Sequence, residues 1–148
     1  MTIHAPSPRL LPDPGTEFGA RVRRRLAEER VVWLTAVADD GTPQPNPVWF
    51  VWDGDAFLIY TSPDSRRMRH LLRRPRVSLH FNGDEVGHDI VVFGGVAEQV
   101  PEPRPAVEVP EYHAKYREAI DRVFGGPGEF TRTHPVALRI RPTSLRGR

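Results

Sequence analysis

Three turn signals, Asp39-Asp40-Gly41-Thr42-Pro43, Asp53-Gly54 and Asn82-Gly83, cut the middle of this chain into short apolar runs. They constrain its fold more than any other feature. Asp-Gly and Asn-Gly pairs flanked by hydrophobic runs specify tight hairpins. Connections this short join antiparallel neighbours, because a parallel crossover needs about a dozen residues or more. The runs between them read as strands. Residues 31–37 are apolar and β-branched. Residues 44–52 enter through alternating prolines, as an edge or irregular strand does, and residues 57–61 complete a meander. Val77, Leu79 and Phe81 alternate with Ser78 and His80 in a half-buried strand. Residues 90–97 form another, where Gly94-Gly95 marks a bulge or corner. Val136, Leu138 and Ile140 alternate with Arg139 and Arg141 in the last. The pattern predicts a mainly β, α+β fold: a six-stranded antiparallel barrel with peripheral helices.

The helices are legible from caps and spacing. Asp13-Pro14 reads as an N-cap with proline at the first helical position. Phe18, Val22 and Leu26 then form one apolar stripe, with Arg21, Arg23, Arg24 and Arg25 facing elsewhere and an end near Arg30. Ser62-Pro63 predicts a second start, with Met68, Leu71 and Leu72 on the buried side and Pro75 beyond the end. Residues 99–110 hold four prolines and read as a loop. Tyr112, Tyr116 and Ile120 share one face of a third helix, closed by Gly125-Gly126. Residues 1–12, with three prolines, read as a flexible arm, and residues 13–148 as one domain.

Composition narrows the function classes. At 148 residues and 39% hydrophobic, the chain supports one cored domain. It has no apolar run long enough for a membrane span and no secretory leader pattern, so a cytoplasmic protein without membrane contacts is expected. Zero cysteines exclude disulfides and thiolate-ligated zinc, and the six histidines show no metal-ligand spacing. The isoelectric point is near 9.5, yet the net charge is only +2 and the basic residues are interspersed with acids. No nucleic-acid partner is expected from that pattern. Lys115 is the sole lysine, so nearly all cationic side chains are arginines, which grip phosphates and carboxylates with a planar fork.

Two segments carry candidate chemistry. In Tyr60-Thr61-Ser62-Pro63-Asp64-Ser65-Arg66-Arg67 a strand ends, hydroxyls cluster, and a helix opens on two arginines. Free N–H groups and the dipole make such an end receptive to anions. Arginines there meet like charge unless an anionic ligand offsets it. In Pro45-Asn46-Pro47-Val48-Trp49-Phe50-Val51-Trp52 the prolines leave backbone groups free to read the edge of a flat heterocycle, and Trp49 or Trp52 can stack on it. Filling a core would occupy the same aromatics equally well.

Asp40-Gly41-Thr42-Pro43, Pro47-Val48-Trp49-Phe50, the Tyr60 to Arg67 segment and Arg74-Pro75-Arg76-Val77-Ser78-Leu79-His80-Phe81, in this order and spacing, resemble the pyridoxamine 5′-phosphate oxidase-like family of FMN-binding split β-barrels. The resemblance implies a homodimer with the cofactor in a groove between subunits. Pro47, Val48, Trp49 and Phe50 would line the ring, with Tyr60 as a hydroxyl contact. Thr61, Ser65, Arg66 and Arg67 would hold the phosphate, and a partner segment matching His88 and Asp89 would complete the ring's surroundings. Apolar faces on residues 57–61 and 77–81 also favour a dimer. Two departures matter. The vitamin oxidases of the family carry a basic residue where this chain has Trp52 and Asp53, and a C-terminal arginine-histidine signature that Arg139-Ile140-Arg141-Pro142-Thr143-Ser144 does not match. Activity on the vitamin is therefore not expected. The Val-Trp-Phe and Ser-Arg variants are similar to the actinobacterial-type branch that uses coenzyme F-420, a deazaflavin restricted to hydride transfer. Its acidic tail would suit Arg21, Arg24 and Arg25. The resemblance thus implies an F-420-dependent oxidoreductase acting on a small organic substrate. The alternatives are an FMN-dependent oxidoreductase of the same fold, or a non-catalytic flavin, deazaflavin or tetrapyrrole carrier.

Overall fold

The computed structural model describes residues 10–148. Helix α1 (Glu17–Glu28) is followed by strands β1 (Val32–Val37), β2 (Pro43–Val48), β3 (Val51–Trp52) and β4 (Phe57–Thr61). Helix α2 (Arg66–Arg73), β5 (Arg76–His80) and β6 (Val91–Gln99) come next, then a 3-10 turn (Ala106–Glu108). Helices α3 (Pro110–Phe124) and α4 (Pro127–Thr133) precede the final strand β7 (Val136–Gly147). All pairings are antiparallel, in one curled sheet of seven strands ordered β2-β1-β5-β6-β7-β4-β3.

Seven strands replace the expected six because the predicted second strand breaks at Trp49 and Phe50. Its first half pairs with β1 and its second half with β4. Those halves lie on opposite edges of the sheet, so the break carries the chain across the opening and curls the sheet on itself. A broken strand leaves buried backbone groups without ladder partners, and each must find another. Helix α3 supplies them. The Phe50 N–H donates to the Tyr116 hydroxyl at 2.9 Å, that hydroxyl donates to the Arg30 carbonyl at 2.7 Å, and Lys115 Nζ donates to the Phe50 carbonyl at 2.9 Å. The ammonium also sits 3.8 Å from the Phe50 ring centroid.

Other expectations shift in register. The α1 N-cap is Thr16, whose side chain accepts from the Gly19 N–H, and α1 ends at Glu28 rather than near Arg30. Asp13-Pro14 instead forms a turn, with the Asp13 carboxylate accepting from Gly15. Ser65, not Ser62, caps α2. Leu72 is not on its buried side but 65% exposed, whereas Met68 and Leu71 are buried. The Asn82-Gly83 turn is a longer loop organised by Asp84, whose carboxylate accepts from Val86 and His88. Helix α4 was not anticipated, and β7 runs six residues past Arg141. The Gly94/Gly95 bulge is present: a Cβ at Gly94 would lie 2.6 Å from Ser144 Oγ. Gly125 closes α3 in the left-handed conformation at φ 81°. The first nine residues of the expected arm lie outside the described residues, while Leu10 and Leu11 pack against the core. No helix among the described residues is long and apolar enough to cross a membrane.

The interior divides in two. Val22, Leu34, Phe50, Phe57, Leu79 and Phe93 belong to the core enclosed by the curl. Tyr60, Tyr112, Tyr116, Ile120 and Phe130 form a second cluster where α3 and α4 pack behind β4. The apolar faces of β4 and β5 are therefore covered within one chain, and they do not themselves call for a partner. Because Phe50 depends on α3, Tyr116→Phe should lower unfolding stability by about 1–3 kcal/mol, the cost of stranding a buried N–H. Urea denaturation measures this.

Candidate functional site

The end of β4 and the start of α2 bring together most of the residues expected to hold a phosphate. Thr61 is buried, and its Oγ1 accepts from Arg67 Nη1 at 3.1 Å. Ser65 Oγ lies 3.4 Å from Thr61 Oγ1 and accepts from the Met68 N–H at 3.2 Å. Each hydroxyl thus accepts a bond from the chain, and since one donates to the other, one O–H of the pair remains to donate. Arg66 is exposed beside them at the first position of α2.

Arg67 is the informative member. Its Nε is buried without a hydrogen-bond partner, and no carboxylate pairs with it among the described residues. Burial lowers its pKa from the ordinary value, but a guanidinium remains charged. A half-buried cation with neither counter-ion nor full hydrogen bonding is costly, and an anion between Arg67, Thr61 and Ser65 would offset that cost.

Arg67 stands at the junction of two cavities. One is a groove of about 680 Å³ between α2 and the β1–β2 hairpin, lined by Gln44, Asn46, Ser65, Arg66, Arg69 and His70 among others. Its single lining carboxylate, Asp39, is paired with Arg73 and Arg74. The other is a compartment of about 250 Å³ behind β4, lined by Pro47, Val48, Trp49, Tyr60, Thr61 and residues of α3 and α4.

Strand β2 forms the rim of the groove. Its register with β1 places Pro43, Pro45 and Pro47 at alternate positions. In an antiparallel pair, alternate residues turn both backbone groups to the same side, and a proline cannot donate. Gln44, Asn46 and Val48 therefore bond to β1. The outer rim offers the three proline carbonyls and no N–H, and five of the six residues are exposed. Trp49 follows, its ring 4.7 Å from that of Tyr116 and nearly parallel to it, with Phe130 at 5.8 Å. Phe50 points into the main core, and its backbone is taken up by α3. The Tyr60 hydroxyl donates to the Arg104 carbonyl at 2.6 Å, and its ring lines the smaller compartment.

His88 and Asp89 stand apart, in the loop between β5 and β6. Asp89 is clamped by Arg21 at 2.6 Å and Arg25 at 3.2 Å. This corrects the reading of those arginines as free to meet an acidic tail. Arg25 is buried, bonded to Glu29 and to the Asn82 carbonyl, and only Arg24 remains exposed and without an ion pair. The cations that do line the groove are on α2: Arg66, Arg67 and Arg69, with His70. Arg69 and His70 were missed, although their spacing from Arg66 (three and four residues) puts them on its helix face.

The model of the pyridoxamine 5′-phosphate oxidase family matches residues 18–147. The chain belongs to that family. Its fold is a flavin-binding one. Solved relatives include an F420 reductase, 24% identical over 84% of this chain and 94% of that chain, TM-score 0.61. A conserved hypothetical protein from Mycobacterium tuberculosis is 25% identical over 88% and 82%, TM-score 0.68. The heme storage protein HutZ from Vibrio cholerae is 18% identical over 86% and 92%, TM-score 0.60. No curated protein matches the chain in sequence. At the family's first point of departure, Asp53 accepts from Asp55 and Ala56 and pairs with Arg139 at 3.2 Å, so it organises a hairpin.

His134 lines the compartment, stacked on Phe130 at 4.7 Å. Burial, and then the nearby charge of Arg67, lower its pKa below the ordinary 6.5. The unfolded chain therefore takes up the proton first as pH falls. Stability from this group is fully present above about 6.5 and is lost as pH drops from there toward the folded value. Melting temperature should fall more steeply below neutrality in the wild type than in His134→Phe, as pH-resolved thermal unfolding would show.

Proposed function

We propose that this protein is a homodimeric oxidoreductase that uses coenzyme F-420 to transfer hydride to a small organic substrate. The observation that carries the reading is Arg67: a half-buried guanidinium with an unpartnered Nε, beside a pair of hydroxyls that keeps one free donor. That set fits a phosphate. Three arginines line the groove against one carboxylate that is already paired, which favours a cofactor with further negative charge over FMN. The fold likeness to an F420 reductase accords with this.

The residues would divide the work. Thr61, Ser65 and Arg67 bind the phosphate, with Arg66 and the first N–H groups of α2 adding positive potential. Arg69 and His70 extend that potential along the groove. The acceptor-only rim of β2, ending at Pro47, offers carbonyls to ring N–H groups, and Val48 and Trp49 carry the wall onward. A bound deazaflavin supplies a two-electron hydride and no one-electron chemistry. Exposed β2 and the outer-face pair Trp33 and His80, stacked at 6.3 Å, are where a second subunit would cover the groove and bring in His88 and Asp89.

Charge-assisted hydrogen bonds contribute about 1.5–3 kcal/mol each, so Arg67→Ala should weaken F-420 binding roughly tenfold to a hundredfold. Fluorescence titration of wild type and variant with F-420 and FMN tests this. Unchanged binding in the variant would remove the phosphate site, and FMN binding at least as tight as F-420 would remove the deazaflavin assignment. Without ligand, Arg67→Met should melt at or above the wild-type temperature, because it removes an unpaired cation. Light scattering should report a dimer, whose interface in such assemblies exceeds about 2,000 Å²; a stable monomer at micromolar concentration would reject the shared groove.

A further inference from the structure

The compartment behind β4 holds a second orphan. Tyr112 is 0% exposed and lines the cavity, yet its hydroxyl has no hydrogen-bond partner among the described residues. The other two tyrosines are satisfied, Tyr60 by the Arg104 carbonyl and Tyr116 by Phe50 and Arg30. Burial raises the Tyr112 pKa, so the hydroxyl stays protonated and can donate. A buried hydroxyl without a partner costs about 1–3 kcal/mol, whereas phenylalanine in its place would not. Around it stand the rings of Trp49, Tyr60, Phe124, Phe130 and His134. Val123 is at the opening, 59% exposed.

The size of the cavity selects its occupant. A cavity of about 150 Å³ holds benzene, and drug-sized ligands need about 300–1,000 Å³. At about 250 Å³ this compartment takes one or two rings, not a three-ring cofactor with its phosphate chain. Aromatic walls favour a flat ring, and the unpaired Tyr112 hydroxyl asks for an oxygen acceptor on it. We infer that the compartment between β4 and helices α3 and α4 is a second ligand site, for a flat one- or two-ring aromatic bearing a carbonyl-type oxygen that accepts from Tyr112. Given the proposed cofactor groove, on which this last step rests, it is the substrate's site: Pro47, Val48 and Trp49, the wall assigned to the cofactor's ring, also line this compartment, so the substrate would meet the cofactor at its ring.

Two probes of matched shape test the site: 1-acetylnaphthalene, which carries the oxygen, and 1-ethylnaphthalene, which does not. Each is titrated by calorimetry into cofactor-free protein. The ketone should bind wild type about tenfold more tightly than the hydrocarbon, the equivalent of one hydrogen bond near 1.4 kcal/mol. In Tyr112→Phe the two should bind alike, with folding stability equal to wild type or higher. Val123→Trp, which fills the opening from an exposed position, should abolish binding of both while leaving F-420 titration as in wild type. The inference is overturned if wild type does not bind the ketone, if the ketone preference persists in Tyr112→Phe, or if binding survives in Val123→Trp. Loss of F-420 binding in Val123→Trp would also overturn it, by making the compartment the cofactor's own. The ring titrations need no cofactor, so failure of F-420 to bind wild type would defeat the cofactor reading and leave this result standing.

Discussion

The arrangement depends on how the chain satisfies the backbone of Phe50. A strand running without interruption through residues 43–52 would keep its ladder bonds but hold both halves in one edge. The break moves the second half to the opposite edge, and the exposed N–H and C=O must then be met inside the protein, where an unpaired group costs about 1–3 kcal/mol. Tyr116 and Lys115, adjacent on α3, meet one each. Holding an ammonium at that carbonyl is not free: burial brings the Lys115 pKa down to about 8. A lysine serves because its flexible stem reaches the carbonyl while the ammonium rests on the Phe50 ring. The same contact fixes Trp49 against Tyr116, and with it a wall of the smaller compartment.

Against this well-satisfied knot, Arg67 and Tyr112 stand out. Native interiors pair nearly all buried polar atoms, and among the described residues three are left unpartnered: His113 Nδ1, Arg67 Nε and the Tyr112 hydroxyl, of which the last two belong to residues lining one cavity. Their chemistry differs in the way two ligands would differ. The guanidinium requires an anion and sits among hydroxyls. The phenol requires only an acceptor and sits among rings. A chain selected for stability alone would have methionine and phenylalanine at these positions, and it is their place on a cavity wall that makes these two orphans the basis of the sites proposed above.

What the sequence disclosed follows from which forces are local. Hairpins at Asp53-Gly54 and around Gly41, the Tyr112, Tyr116 and Ile120 face and the Gly125 cap are set by neighbouring residues and were legible. The break at Trp49 was not, because residues 44–52 carry no turn signal that would divide them, and only α3, more than sixty residues away, decides otherwise. Cap positions failed for a related reason: Asp13 and Ser62 are adequate caps, but each lies three residues before one that packing prefers, Thr16 and Ser65. The hydroxyls and arginines of residues 61–67 were readable as a cluster. That Arg25 would be buried against Asp89 while Arg67 has no counter-ion among the described residues was not, since both arginines look alike in a helix of arginines.

The prolines of β2 also restrict how a second subunit can approach. An exposed edge strand ordinarily invites another strand, which pairs donor with acceptor along the rim. Here the rim lacks every donor at positions 43, 45 and 47, so a continuous intersubunit sheet cannot form along it. A partner that approaches this edge can engage it by side chains or across the neighbouring strands β1 and β5, where Trp33 and His80 stack. The rim is thereby kept open with its carbonyls free. A ligand rich in N–H groups can use them, and a competing strand cannot. The alternation of proline along Pro43, Pro45 and Pro47 thus blocks strand pairing on this edge while leaving its carbonyls accessible.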